Sequence, residues 1–118
     1  MYRIPTKLTD ELVLFAKTIG CQWLGAVRVS TKPLCRPLNC HNNVIRYIDT
    51  YGGEHILGYY FIQHIDTLRF EAVLHSVLKK NGVMLDITPF DDNRELNLFG
   101  IINNDGIGID QFLPHIEQ

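Results

Sequence analysis

No stretch of this sequence is apolar over the roughly 20 residues that a bilayer-spanning helix needs. The early apolar run Leu12-Val13-Leu14-Phe15-Ala16 is also too short for the core of an export signal. Basic clusters are missing as well. The 11 Lys and Arg are scattered, only Lys79-Lys80 are adjacent, and the formal net charge is −2. Nucleic-acid binding through a basic face is therefore excluded as an expectation, and no membrane partner is expected. Internal repeats, low-complexity tracts and linker-like runs are absent. Cysteine is sparse and odd in number, with Cys21, Cys35 and Cys40, so a closed disulfide framework cannot use them all. Reduced thiols in a cytoplasmic protein are the expectation.

What is present is an ordinary globular composition. At 118 residues, with 46% hydrophobic and 20% charged, residues 1–118 should form a single domain around one core. Thr9-Asp10 reads as a helix start, with Leu12, Phe15, Ala16 and Ile19 at helical spacing and Gly20 placed to stop the run. Trp23 to Val29 suits a short strand, and Lys32 to Leu38, holding Pro33 and Pro37, suits a restricted loop. A second helix should run from Cys40 or His41 to Tyr51, with Asn39 as N-cap and Gly52-Gly53 as its end.

The rest is rich in strand formers. Ile56 to Ile65, Leu68 to Lys80, Val83 to Thr88 and Glu95 to Ile102 make four candidate antiparallel strands. Asn103-Asn104-Asp105-Gly106 reads as a turn, and Ile107 to Ile116 is too mixed to assign. Helices first and strands afterwards imply an α+β fold, with N-terminal helices packed on one antiparallel sheet.

Asn81-Gly82 between two alternating apolar runs predicts a two-residue hairpin loop. That loop sets Lys80 opposite Val83, Leu78 opposite Leu85, Val77 opposite Asp86 and His75 opposite Thr88. His75 and Asp86 then share a face as diagonal neighbours, within reach of a hydrogen bond. Leu74, Ser76 and Leu78 with Leu85 and Ile87 form a core face. Val73, His75 and Val77 with Met84 and Asp86 form a mixed face, which the Cys40 helix is expected to cover.

A thiol at a helix start, an imidazole and a carboxylate that orients it are the parts of a nucleophilic acyl-transfer site. Cys40 is the candidate nucleophile, His75 the base and Asp86 the orienting acid. The backbone N–H of Cys40 is the first candidate oxyanion donor, and Gln22 or Gln63 the second. His41 reads as a surface residue, because adjacent residues diverge on a helix. Cys35, Cys40 and His41 match none of the usual zinc spacings, so neither metal nor cofactor is expected. The alternative reading makes Cys40 a small buried hydrophobe. It leaves a binding or assembly module, with Tyr59-Tyr60-Phe61 at a partner or homo-oligomer surface.

The segment His75-Ser76-Val77 with Asn81-Gly82 and Leu85-Asp86-Ile87-Thr88-Pro89 resembles the transglutaminase-like branch of the papain-like cysteine enzymes. The likeness covers Cys40 to Pro89. Ser76 and Val77 stand where that branch often has an aromatic residue, and Asn39 stands where a tryptophan near the nucleophile is common. The resemblance implies a papain-like or transglutaminase-like core, Cys40 as nucleophile, His75 as base and Asp86 as acid. It implies a protein or peptide amide as substrate, with hydrolysis, deamidation or transfer through a thioester.

Overall fold

The structure, a computed structural model, describes residues 1–102; the turn expected at 103–106 and the unassigned stretch 107–116 lie outside them. Helix α1 (Asp10–Thr18) starts where Thr9 Oγ1 accepts from the Leu12 N–H at 3.2 Å. Such a cap is worth about 1 kcal/mol. Helix α2 (Cys40–Tyr51) has Asn39 at its N-cap position, but the Asn39 side chain caps nothing and instead accepts from Asn42 Nδ2 at 3.1 Å. Gly52, at φ 79°, ends it.

The strands are β1 (Tyr2–Arg3), β2 (Trp23–Val29), β3 (Glu54–His64), β4 (Phe70–Lys80), β5 (Val83–Asp86) and β6 (Leu96–Ile101). Each falls where a strand was expected except β1, which the sequence did not signal. The architecture overturns the α+β expectation. The sheet does not lie open beneath helices: it runs β3-β4-β5-β2-β6 and closes because β6 also pairs with β3, with β1 added on β3. The protein is a mostly-β closed five-strand barrel, and the described residues hold only two helices.

Two features that local sequence cannot show cause the difference. Strand β2 is not an accessory to the helices. It runs antiparallel to β6 from Trp23–Ile101 to Arg28–Leu96 and parallel to β5 at Arg28–Leu85 and Val29–Asp86. The second feature is the seam, where Tyr59 meets Gly100 and Tyr60 meets Phe99. A β-carbon on Gly58 would lie 2.2 Å from the Gly100 carbonyl oxygen, so only glycine lets the two strands approach there.

Closure gives the sheet a buried inside and an outside that the two helices bury in part. Trp23, Val27, Ile56, Val77, Phe99 and Ile101 fill the barrel. Outside, α1 sets Leu12, Val13 and Ala16 on Leu24, Phe61 and Leu98, while α2 sets Val44 on Leu78 and Ile87. Each fully buried aliphatic side chain contributes roughly 1.5–3 kcal/mol. The His75 face is therefore the barrel lumen. Helix α2 covers the opposite face, that of Leu78 and Leu85, and not the His75 face as expected.

Candidate active site

The hairpin between β4 and β5 forms at Asn81-Gly82, pairing Lys80 with Val83, Lys79 with Met84 and Leu78 with Leu85. The pairing stops there. Beyond it β5 turns onto β2, so the expected cross-strand pairs Val77–Asp86 and His75–Thr88 do not form. The side chains still meet: His75 Nε2 and Asp86 Oδ2 are 2.8 Å apart, with the residues 3% and 0% exposed. Parity of the alternation brought both into the same lumen even though the ladder did not continue.

Asp86 is held by three donors. Oδ2 faces His75 Nε2 and accepts from Asn97 Nδ2, each at 2.8 Å, and Oδ1 accepts from the Thr88 N–H at 3.3 Å. Asn97 lies wholly buried on β6, and its Oδ1 accepts from Arg94 Nη1 at 2.9 Å. Arg94 is fixed in turn by Asp92, with Nη2 2.6 Å from Oδ2. A polar chain thus runs from the exposed Asp92 through the buried Arg94 guanidinium, Asn97 and Asp86 to the imidazole. The Tyr60 ring stands edge-on to His75 at 5.1 Å and the Phe90 ring lies 5.6 Å away, so the imidazole cannot swing without displacing aromatic rings.

Cys40 opens α2, and its thiol enters where β4 and β5 part. Nε2 of His75 is engaged with Asp86, which leaves Nδ1 for the sulfur. Burial opposes a charge on Cys40, but the hydrogen bond with His75, the N–H groups of Ser76 and His41 and the imidazolium charge together hold the thiol below its ordinary value of 9. Burial likewise opposes a charge on His75. The hydrogen bonds and charges of Asp86 and Cys40 outweigh it and raise the imidazole to about 9. The two shifts reinforce each other and favour a thiolate–imidazolium pair. The other thiols differ: burial pushes Cys21 up to about 11, and Cys35 is also raised, chiefly by burial.

Several residues that hold this arrangement carry no strong sequence signal. Asn43, 3% exposed and one turn after Cys40, donates from Nδ2 to the Arg36 carbonyl at 2.8 Å and to Thr88 Oγ1 at 3.0 Å. Its Oδ1 accepts from the Arg36 N–H at 3.1 Å. The first turn of α2 is thereby tied both to the preceding loop and to the segment after Asp86. A polar residue three positions after Cys40, on the same helix face, was the signal available. His41 is not the surface residue expected: its Nδ1 bonds to Ser76 Oγ, which also meets His55 Nε2 at 2.6 Å.

The glutamines expected as oxyanion donors are elsewhere. Gln63 is engaged with Arg3 and with the Leu68 carbonyl at the β1 end of β3, and Gln22 is exposed. A cleft of about 420 Å³ opens over the thiol, with Cys40, His75, Tyr60, Leu38, Leu74 and Phe90 among its walls. Among the described residues no three His, Cys, Asp or Glu side chains are grouped to hold a metal ion, and no helix is long and apolar enough to cross a membrane. In comparisons with known proteins, no family model, no curated protein and no solved structure matches the chain.

Proposed function

We propose that this protein is a cysteine-dependent acyl-transfer enzyme that attacks amide carbonyls through a thioester, with hydrolysis or deamidation favoured over transfer to an amine. The observation that carries the reading is the line Cys40–His75–Asp86, with its thiol depressed and its imidazole raised. Those are the roles that the resemblance to transglutaminase-like enzymes implies, here on a closed barrel.

The Cys40 thiolate adds to the carbonyl carbon, and the oxyanion forms beside the helix start. Cys40 is the first residue of α2, so its N–H has no intrahelical partner and is free to donate. Tyr60, which lines the same cleft, takes the place of glutamine as second donor. Burial keeps its hydroxyl protonated above the usual range. The intermediate collapses as the C–N bond breaks and the imidazolium of His75 gives its proton to the leaving amine. Water, deprotonated by the neutral imidazole, then hydrolyses the thioester. Asp86 holds the ring tautomer throughout. Three free thiols support a reducing, cytoplasmic setting.

Alkylation by iodoacetamide, followed by peptide mass spectrometry, tests the reading. Cys40 should react faster than Cys21 and Cys35, with an apparent pKa below 9. Slow, equal labelling of the three would leave a non-catalytic binding module on this scaffold.

A further inference from the structure

Strand β4 spans Phe70–Lys80, yet it pairs with β5 only from Leu78 to Lys80. Its other edge is taken by β3 from Glu54–Lys79 to Gln63–Phe70. Among the described residues, no strand covers the edge of β4 facing away from β3 between Phe70 and Val77. The Ser76 N–H points out of that edge to the Cys40 sulfur. Residues two apart in an antiparallel strand send their N–H and C=O the same way, so Ala72 and Leu74 present theirs along the same free edge. An unpaired edge is a template for an added strand, and this one ends at the thiol.

The walls beside that edge are open and mostly apolar, with Asp91 the one carboxylate among the described lining residues. Leu38, two residues before the nucleophile, is fully exposed and held at φ 60°, and Leu74 is half exposed. Leucine at a positive φ is an unfavourable backbone state, and such states gather at ligand clamps. Phe90 adds an aromatic surface. The cation in the cleft, Arg94, is engaged by Asp92 and Asn97, so the walls reward an uncharged, bulky side chain.

We propose that the substrate is an extended polypeptide that adds as a strand to the free edge of β4. It sets a bulky apolar side chain between Leu38 and Phe90, next to the carbonyl that Cys40 attacks. This rests on the reading of Cys40 as nucleophile, and it narrows the reaction to peptide-bond cleavage. Free glutamine would use neither the ladder nor the apolar walls, and the side-chain amide of a glutamine in a bound strand would gain nothing from the apolar walls.

The test compares irreversible probes on the full chain: iodoacetamide and tripeptidyl chloromethyl ketones ending in leucine or aspartate. In each ketone the thiolate displaces chloride, forming a C–S bond as the C–Cl bond breaks. The leucyl probe should alkylate Cys40 at least tenfold faster than the aspartyl probe. N-methylating the backbone amide that faces β4 should remove most of that advantage. In Leu38→Asp, a change at a solvent-exposed site whose folding is checked by thermal melting, the leucyl-to-aspartyl ratio should fall to near one. Equal rates for the two probes, or a ratio that survives both changes, overturns the proposal while rapid iodoacetamide labelling of Cys40 leaves the nucleophile standing. If iodoacetamide itself does not single out Cys40, the nucleophile falls and the substrate proposal with it.

Discussion

Asp86→Asn tests the site most directly, because its effect follows from the donors around one carboxylate. All three partners of Asp86 point hydrogens at it: His75, Asn97 and the Thr88 N–H. An amide keeps the shape but replaces one acceptor oxygen with a donor. The less damaging orientation turns its oxygen to His75 and Asn97 and leaves its NH2 against the Thr88 N–H. One conflict of this kind in a fully buried site costs about 1–3 kcal/mol, which shows as a lowered urea midpoint. The larger effect is on His75. Without the buried carboxylate, burial is opposed only by Cys40, and the imidazole drops from about 9 toward or below its ordinary 6.5. At pH 7.5 its protonated fraction would fall from about 97% to about 9%, roughly tenfold. The thiolate population that this charge supports falls with it. NMR titration of the His75 ring and the rate of Cys40 alkylation against pH measure the two. A ring that still titrates near 9, or an unchanged alkylation profile, would refute the assignment of Asp86 as the partner that holds the proton on His75.

Two further outcomes follow from the same structure. Gly58→Ala would drive a β-carbon to 2.2 Å from the Gly100 carbonyl; overpacking at the seam should cost about 1–3 kcal/mol or more, read as a lower melting temperature, whereas Gly20→Ala meets no neighbouring atom and is penalised only through its positive φ. The second concerns pH. The raised imidazole stabilises the fold fully below 6.5 and loses that contribution as pH climbs through about 9, while the depressed thiol contributes above its ordinary 9 and loses its contribution as pH falls through its lower folded value. The opposing slopes should leave the protein with a flatter stability profile between pH 7 and 9 than Cys40→Ser, which keeps only the share of the imidazole contribution that Asp86 supplies and should weaken steadily above pH 6.5 in urea titrations.

Local patterns carried most elements in the sequence and little of their arrangement. Thr9 and Gly20 bracket α1, Gly52 ends α2 and Asn81-Gly82 turns β4 into β5, because each acts through backbone preferences within a few residues. His75 and Asp86 could be placed together because side chains alternate across a strand, whether or not the ladder persists. Closure was not readable. It depends on β2 meeting β5 and β6, and on Gly58 admitting Gly100, contacts between segments far apart in the chain. Everything that closure alone brings together was hidden for the same reason. Asn97 reads as one polar residue in the strand Leu96-Asn97-Leu98-Phe99 until β6 is known to face the lumen. Gln63 looked available until β1 supplied Arg3 to bind it.

Strand β2 leaves the ribosome before its partners, which are synthesised more than fifty residues later, since Arg28 needs both Leu85 and Leu96. Pairings of such long sequence separation form slowly. The carboxylate is fastened by Asn97 on the last of these strands, so a chain still assembling holds a thiol without its tuned imidazole. Reactivity would therefore be switched on only once β6 has joined the barrel, and partly folded chains would carry an ordinary, sluggish sulfhydryl among their neighbours.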